Sequence, residues 1–305
     1  MVSDAAALLE LLRELKSRRY EFVTTTPASH ERVLARPSSG KVTLRDVFGW
    51  NRPFSEPELD PTLVGFLRGA GCLEDSGGKL RSRVRVASVG GELFLHSAFP
   101  TNANDAVFLG PDTYRFVRFV RSSLPQMDKP AWVVDMGAGS GAGGTLVGIL
   151  DPTARITLVD VNAKALGLAK VNARAALVPV ELSRSDRIPS GCDVVIANPP
   201  YMMDSAHRAY RDGGGLFGGE VACEWVAQAL SSLAAGGTML LYTGAAIVAG
   251  EAPLLKAIAA TCGPRDASVA VEEIDPDIFG EELEQPAYSN VERIAAVGIR
   301  ITTRP

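Results

Sequence analysis

The chain has 305 residues, of which 46% are hydrophobic and 22% charged, and its formal net charge is −4. These values are ordinary for a globular protein, and the length predicts one large or two modest domains. The negative net charge excludes a global electrostatic attraction to nucleic acid. A local basic face is still compatible with this net charge.

Cysteine and histidine usage bears on compartment and metal binding. The four cysteines lie far apart without a CxxC pair, which predicts reduced thiols: Cys72, Cys192, Cys223 and Cys262. His30, His96 and His207 show no ligand spacing, so no metal is expected. The start Met-Val-Ser-Asp does not resemble a signal peptide, and no apolar run reaches spanning length. We therefore expect a cytoplasmic protein without a membrane partner.

The first hundred residues predict a mixed α+β region. A helix over 3–20, capped by Ser3 or Asp4, carries leucines at helical spacing. Residues 24–40 are expected to be irregular. Short helices follow over 43–50, near Glu58 and over 62–68, the last after the cap signal Asp60-Pro61.

A β-hairpin is predicted from Leu80 to Ser97, with its turn at Gly90-Gly91. Helices followed by a hairpin are typical of a winged helix. Alternation would place Arg81, Arg83 and Arg85 on one face of this hairpin. That face could bind nucleic acid or an acidic partner, or it could be a solvated edge that discourages aggregation.

From Ala131 onward the pattern alternates between strands and helices, after a joining segment with a helix near 114–121. Such alternation predicts a mostly parallel sheet with helices on both faces. The strands are expected at 132–136, 155–159, 178–182, 194–197, 238–243, 269–273 and 293–301, and the helices at 145–150, 163–176, 220–234 and 251–260.

A glycine-rich loop follows the first of these strands: Asp135-Met-Gly137-Ala-Gly139-Ser-Gly141-Ala-Gly143-Gly144. Glycines at this place let the backbone approach a ligand and open a helix whose N-terminus carries partial positive charge. The spacing from Gly139 to Gly144 also matches the dinucleotide fingerprint. The alternative is a tight strand-to-helix turn without a ligand.

The next two strands end in acidic residues. Asp160, in Asp160-Val-Asn162, is placed to accept both ribose hydroxyls of an adenosine, as in proteins that bind NAD or S-adenosylmethionine, or to cap a helix. Asp186 could accept from an adenine amino group or could be a surface loop residue.

The apolar run Val194–Ala197 ends in Asn198-Pro199-Pro200-Tyr201. The prolines fix the backbone, so Asn198 is held extended at a strand end. The amide oxygen of Asn198 and the backbone oxygen of Pro199 are two fixed acceptors that could hold both hydrogens of a planar NH₂ group, and Tyr201 could stack on that group. Asn-Pro and Pro-Pro are also common in ordinary turns.

The reaction type depends on this stretch. A dehydrogenase has no use for two rigid acceptors, and the sequence shows no convincing acid/base pair for hydride transfer. Methyl transfer to nitrogen is a direct displacement in which positioning supplies most of the effect. Holding two N–H bonds aims the nitrogen lone pair, and preorganised acceptors stabilise charge that develops there.

With the glycine loop, Asp160 and Asn-Pro-Pro-Tyr in this order, residues 106–305 resemble class I S-adenosylmethionine-dependent methyltransferases. More narrowly, they are similar to the branch that contains protein-glutamine N5-methyltransferases of release factors and small-domain rRNA guanine N2-methyltransferases. The resemblance implies a Rossmann-like seven-stranded domain over 106–305 and a substrate-recognition domain over 1–105. It also suggests that 108–113 closes over the cofactor and that Arg211-Asp-Gly-Gly-Gly215 is the glycine-rich loop following the motif.

The resemblance further implies S-adenosyl-L-methionine as cofactor, held by Asp135, Gly137, Ala138, Gly139, Gly141, Asp160, Val161, Asn162, Asp186 and Asn198. The catalytic residues would be Asn198, Pro199, Pro200 and Tyr201.

The winged-helix-like pattern departs from the compact helical recognition domain of release-factor methyltransferases. A protein glutamine is the leading acceptor, with an RNA or DNA base amine or a small-molecule nitrogen as alternatives. A hypothesis of a different class is a cofactor-binding regulator that has lost catalysis and binds nucleic acid.

Overall fold

The computed structural model describes residues 4–37, 40–127, 130–204, 208 and 210–304. The proposed cap Ser3 and the histidine His207 lie outside the described residues. None of the described helices has the length and apolar composition needed to cross a membrane. The α-helices are α1 Ala5–Ser17, α2 Pro27–Leu34, α3 Pro61–Gly69, α4 Pro111–Ser123, α5 Ala142–Leu150, α6 Ala163–Ala175, α7 Gly215–Gly218, α8 Glu220–Ser232 and α9 Pro253–Cys262.

Eleven strands occur among the described residues, and seven of them form the main sheet. Its order is β10-β11-β9-β8-β5-β6-β7, with β10 and β11 antiparallel to their neighbours and the others parallel. This confirms the predicted Rossmann-like α/β fold. The strands are β1 Leu73–Ser76, β2 Lys79–Ser82, β3 Val84–Val89, β4 Glu92–Ser97, β5 Trp132–Met136, β6 Arg155–Val159, β7 Glu181–Ser183, β8 Cys192–Ala197, β9 Leu233–Ile247, β10 Ser268–Asp275 and β11 Arg293–Thr302.

The central strand β5 creates the crevice in which a ligand can bind. It pairs with β6, the next strand in sequence, on one side and with β8 on the other. The connections therefore reverse direction across the sheet at β5, and a crevice opens beyond the carboxyl ends of the strands there. Val133, Val134 and Val195 are fully buried, as expected for strands covered on both faces.

The N-terminal region packs against the sheet region through α6. The apolar face of α1, from Leu8 to Leu15, shares one core with Phe48 and Leu63. That core continues into Ala165, Leu168 and Val171 of α6. Burial of these side chains joins the first hundred residues to the helix that follows Asp160.

The predicted single hairpin is wrong in its first strand. The described residues form two hairpins, β1–β2 and β3–β4, because pairing breaks at Arg83 between β2 and β3. The three arginines do not share a face: Arg81 and the half-exposed Arg83 both form ion pairs with Glu74, whereas Arg85 is 4% exposed inside the core.

Two further predictions need correction. Residues 24–40 are not wholly irregular, since Thr26 caps α2 through a hydrogen bond from Ser29 N and Pro27 occupies its first turn. This is a cap-plus-proline signal that the sequence displays. The helix expected over 43–50 is a short π-helix, Arg45–Gly49.

One buried amide connects the two regions. Asn172 of α6 accepts from Leu95 N at 2.8 Å and donates to Leu95 O at 3.1 Å, so it pairs with strand β4. Its amide nitrogen also donates to Ser140 O at 2.9 Å in the glycine loop. Because Asn172 is fully buried, water cannot replace these bonds.

We predict that Asn172→Ala lowers the free energy of unfolding by about 2–4 kcal/mol, since it leaves buried backbone groups without partners. For a protein of this size the melting temperature should fall by roughly 4–8 °C. The control is Lys170→Ala on the exposed face of the same helix, which should change the melting temperature little. Equal effects of the two substitutions, measured by calorimetry, would contradict the linking role of Asn172.

Candidate active site

A cavity of about 320 Å³ lies beyond the carboxyl ends of β5, β6 and β8. Its wall contains every residue that the sequence nominated except Gly141. Gly141 instead begins α5 and packs against Ala169 and Leu158, so its contact is with the core of the domain. The nominated lining residues are Asp135, Gly137, Ala138, Gly139, Asp160, Val161, Asn162, Asp186, Asn198, Pro199, Pro200 and Tyr201.

The glycine loop is fixed by backbone hydrogen bonds to the neighbouring strand. Gly137 N and Ala138 N both donate to Val159 O, at 2.8 and 3.0 Å. Gly137 has a φ of +69°, and a Cβ at this position would lie 2.4 Å from the Trp225 ring. Only glycine is compatible with both the backbone angle and this close approach. At Gly137 the loop therefore presents backbone, and no side chain, to the cavity.

Asp135 is a buried carboxylate at the base of the loop. Its Oδ2 accepts a hydrogen bond from Gly144 N in the first turn of α5 at 2.7 Å. Burial raises the pKa of Asp135 to about 7, the bond from Gly144 opposes this rise, and the charge of Asp160 adds to it. A cationic ligand in the cavity would favour the ionised form of Asp135.

Asp160 stands at the carboxyl end of β6. Its two oxygens accept from Gly139 N at 2.9 Å and Asn162 N at 2.8 Å. Burial raises its pKa, and these backbone N–H groups act in the opposite direction. Carboxylate oxygens have further lone pairs, so Asp160 can accept from a ligand while it holds the loop.

The residues beside Asp160 form an open part of the wall. Val161 is 52% exposed, and its apolar surface is available to a flat ring. Asn162 caps α6 and donates to Asp105 O at 2.9 Å, so it joins this wall to the preceding segment. The Asp186 side chain is 77% exposed at the rim.

Asn198 presents an acceptor that no described residue satisfies. Its Oδ1 is buried without a hydrogen-bond partner, which is rare for a polar atom inside a protein. Pro199, also in the cavity wall, is buried and lacks an N–H group. The orphaned oxygen therefore marks a place where a ligand N–H would be stabilised.

Tyr201 is held by aromatic neighbours. Its ring is 7% exposed and meets Tyr242 and Phe279 edge-on, with ring centroids 6.4 and 6.1 Å away. A Cβ on Gly244 would lie 2.5 Å from this ring. Such packing on several sides leaves the ring little rotational freedom.

The segment that contains Arg211 to Gly215 packs directly on the exit of the Asn-Pro-Pro-Tyr stretch. Met202 N donates to Arg211 O at 3.0 Å, and Gly213 N donates to Met202 O at 2.7 Å. A Cβ at Gly213 would lie 1.9 Å from Gly218 O and 2.7 Å from Pro200 O. This close approach requires glycine and fixes the backbone behind Pro200.

The segment 108–113, which the resemblance places over the cofactor, contributes Phe108, Asp112 and Thr113 to the cavity wall. Asp112 is 3% exposed, accepts from the Tyr242 hydroxyl at 3.0 Å and has a pKa raised by burial. Other cavity residues do not follow from the sequence. Tyr210, Trp225 and Phe279 also line the cavity but come from loops and helices without a recognisable motif.

The described lining residues are strongly acidic. They include five carboxylates and one guanidinium: Asp112, Asp135, Asp160, Asp186, Asp212 and Arg211. Arg211 is itself paired with Glu282. The field in the cavity therefore favours cations and disfavours polyanions.

The comparisons with known proteins agree with this geometry. Residues 118–258 match the family model described as Methyltransferase small domain. A release factor glutamine methyltransferase of Deinococcus radiodurans is 29% identical over 68% of this chain and 76% of that protein. The protein is an S-adenosylmethionine-dependent methyltransferase, and its sequence is similar to the class I family.

Other relatives of this methyltransferase match over shorter regions. A ribosomal RNA large subunit methyltransferase G of Streptomyces avermitilis is 30% identical, over 40% of this chain and 37% of that protein. The match to the Enterococcus faecalis release factor glutamine methyltransferase covers 42% of that protein. In each of these two cases the matched region therefore covers less than half of the relative's length.

The fold also occurs in solved structures. Trm5b of Pyrococcus abyssi superposes with a TM-score of 0.50 and 16% identity, over 76% of this chain and 62% of that one. This similarity concerns the fold alone.

The residues of the cavity fit S-adenosylmethionine as cofactor. A loop of exposed backbone, a carboxylate with spare acceptor capacity and an acidic lining suit its uncharged ribose and its cationic methionine portion. The methyltransferase would hold S-adenosylmethionine with the glycine loop, Asp135 and Asp160. The bound cofactor would supply the methyl group.

We predict that the affinity for S-adenosylmethionine rises between pH 6 and pH 8 as Asp135 ionises, approaching tenfold per pH unit below its pKa of about 7. Asp135→Asn should bind more weakly at pH 8 and lose this dependence. Calorimetric titration at several pH values measures both. An unchanged pH dependence in the variant would exclude Asp135 as its source.

We predict that Asp135→Asn, which weakens cofactor binding at pH 8, stabilises the folded protein at the same pH. Because the pKa of Asp135 is higher in the folded protein than in the unfolded one, its effect on stability becomes unfavourable as pH rises toward 7. Asp135→Asn should therefore raise the melting temperature at pH 8 more than at pH 5. A gain that is the same at both pH values would contradict the buried ionisation.

Proposed function

We propose that this methyltransferase transfers the methyl group to a planar nitrogen held by Asn198 and Pro199. The observation that carries the proposal is the buried Asn198 Oδ1 without a partner among the described residues, in the wall of the same cavity as the glycine loop. A polar atom left in this state has a free-energy cost that an incoming N–H group removes.

The proposed role of the clamp is positioning. Asn198 Oδ1 and Pro199 O accept the two N–H bonds of the acceptor group, which directs the nitrogen lone pair at the methyl carbon. The cofactor would supply the methyl group and would leave as a neutral thioether, while the acceptor nitrogen would gain the N–C bond and release one proton to water. Pro200 keeps the backbone rigid, and Tyr201 forms the apolar wall beside the acceptor plane.

The acceptor we propose is a glutamine side-chain amide of a protein, on the model of a translation release factor. Support comes from the relatives named release factor glutamine methyltransferase. The acidic lining also agrees with a neutral amide, since it opposes the approach of a phosphate backbone.

The second candidate acceptor is an exocyclic amine of an RNA base. It is favoured by the relatives named for ribosomal RNA methyltransferase activity. In that case the basic residues for the phosphates would have to lie outside the described wall of the cavity.

We also propose that residues 1–105 form a substrate-recognition domain and 106–305 the methyltransferase domain. Support comes from the core that α1 and α3 form with the first hairpins, which extends to one face of α6, and from the border of the cavity at Pro27 and Asn104. A cytoplasmic location is consistent with the four free cysteines.

Asn198→Ala should lower kcat by about 100-fold or more, because it removes a preorganised acceptor. The dissociation constant of S-adenosylmethionine should stay within a few-fold. Asn198→Asp is the matched control, since it keeps an acceptor oxygen of the same geometry and should retain more activity. Turnover by the alanine variant at the wild-type rate would exclude the clamp.

Asp160→Ala, unlike Asn198→Ala, should act mainly on the binding of the cofactor. We expect the dissociation constant of S-adenosylmethionine to rise about 10- to 100-fold through loss of charged hydrogen bonds to ribose. Asp160→Asn, which keeps one acceptor oxygen, should have an intermediate effect. Unchanged affinity of the alanine variant in calorimetry would remove the ribose role.

The acceptor class can be tested with methyl-labelled cofactor and two purified acceptors, a bacterial release factor and ribosomal RNA. The proposal predicts label in the protein, resistant to ribonuclease, and one added methyl group on a glutamine by peptide mass spectrometry. The release factor with that glutamine replaced by glutamate is the control. Label confined to RNA would support the second candidate, and cofactor binding without transfer to any nitrogen acceptor would contradict both.

A further inference from the structure

A second, smaller cavity lies behind the wall of the main one. Its volume is about 10 Å³, and Pro27 and Phe108 line both cavities. The remaining lining comes mainly from α2, β3, β4 and the segments on either side of Phe99. It therefore adjoins the main site without being part of the glycine loop or the Asn-Pro-Pro-Tyr stretch.

Arg85 provides a buried positive charge in this cavity. It is 4% exposed and forms no ion pair with any carboxylate in the described part of the protein. Its Nε donates to Gly49 O at 2.8 Å, and its guanidinium lies 5.9 Å from the centre of the Phe22 ring. Burial lowers the pKa of Arg85 to about 10, so the group stays protonated at neutral pH.

His30 orients Arg85 without balancing its charge. Its Nε2 lies 3.0 Å from Trp50 O, which can only accept, so Nε2 carries the proton. Its Nδ1 is then free to accept from Arg85 Nη2 at 3.4 Å. Burial lowers the pKa of His30 to about 4, which keeps the ring neutral.

Two further polar atoms face this cavity without partners. Thr24 is 3% exposed and His96 is 1% exposed, and both line the cavity. The Thr24 Oγ1 and the His96 Nε2 have no hydrogen-bond partner among the described residues. The Thr24 hydroxyl can donate a hydrogen bond. Burial holds the pKa of His96 well below its usual value, so its ring is neutral, and its one N–H group is directed to the backbone of Ser97. The His96 Nε2 is therefore an acceptor, and of these two groups only the Thr24 hydroxyl can donate to a ligand here.

From this arrangement we propose that Arg85 and Thr24 form a binding site for a single small inorganic anion, of the size of chloride. A buried unpaired guanidinium is strongly unfavourable, and an anion in contact with it provides the missing opposite charge. The unpartnered Thr24 hydroxyl provides a second donor to that anion.

The size of the cavity limits what can bind. A volume of about 10 Å³ accommodates one species about as large as a water molecule. A carboxylate or a phosphate group needs more room, which excludes these larger anions from the cavity as it stands. Chloride combines a single negative charge with a suitable size.

An anion at this place would stabilise the border of the main cavity. Arg85 and His96 occupy opposite positions in the β3–β4 pairing, while His30 stacks against Phe99 with ring centroids 4.2 Å apart. The anion would therefore fasten the hairpin, α2 and the segment that leads to Phe108.

The test compares melting temperatures of the full-length protein in sodium chloride, sodium acetate and sodium gluconate at equal ionic strength. We expect chloride to raise the melting temperature over gluconate by on the order of 2 °C, since an anion that binds only the folded protein stabilises it. Arg85→Met should lose this difference. The matched control Arg83→Met, at a half-exposed arginine, should keep it.

Two measurements keep the test decisive if Arg85→Met does not fold. Thr24→Val preserves side-chain shape but removes the donor, and it should reduce the chloride-specific increase. Crystals of the unmodified protein grown in bromide should give an anomalous peak beside the Arg85 guanidinium.

Equal melting temperatures in chloride and gluconate, or a water without anomalous signal in the bromide crystals, would overturn the proposal. A larger effect of acetate than of chloride would also overturn it, because the site would then accept a carboxylate.

Discussion

The arrangement of the active site depends on the three hydrogen bonds of Asn172. Its amide pairs with both backbone groups of Leu95 and donates to Ser140 O in the glycine loop. The Asn172 side chain thus satisfies the backbone N–H and C=O of Leu95 in β4, as a neighbouring strand would. It also supports the glycine loop through Ser140 O. The N-terminal region and the cofactor loop therefore share a polar contact as well as the apolar core through α6.

The sequence predicted the sheet region well because its signals are local. The apolar runs of β5 and β8 and the glycine loop each depend on neighbouring residues alone. The nominated wall residues also follow from topology, since the carboxyl ends of parallel strands meet at one edge. Gly141 was placed in the site by the loop's pattern, whereas its contacts are with Ala169 and Leu158.

The errors arose where tertiary contacts override the local pattern. The alternation of Arg81, Arg83 and Arg85 suggested one strand, but pairing with β1 ends at Ser82 and the backbone enters the core at β3. Burial of Arg85 against Phe22 and His30 cannot be read from alternation. Trp225 of α8 and Phe279, which follows β10, reach the cavity through packing over long sequence separations.

The acidic lining has a consequence for turnover. The methyl donor is a sulfonium cation, whereas the thioether that remains after transfer has lost that positive charge. Carboxylates around the cavity, Asp135 and Asp160 among them, therefore attract the donor more strongly than its spent form. The same charges would therefore lower the affinity for the spent cofactor relative to the donor, which favours its release after transfer.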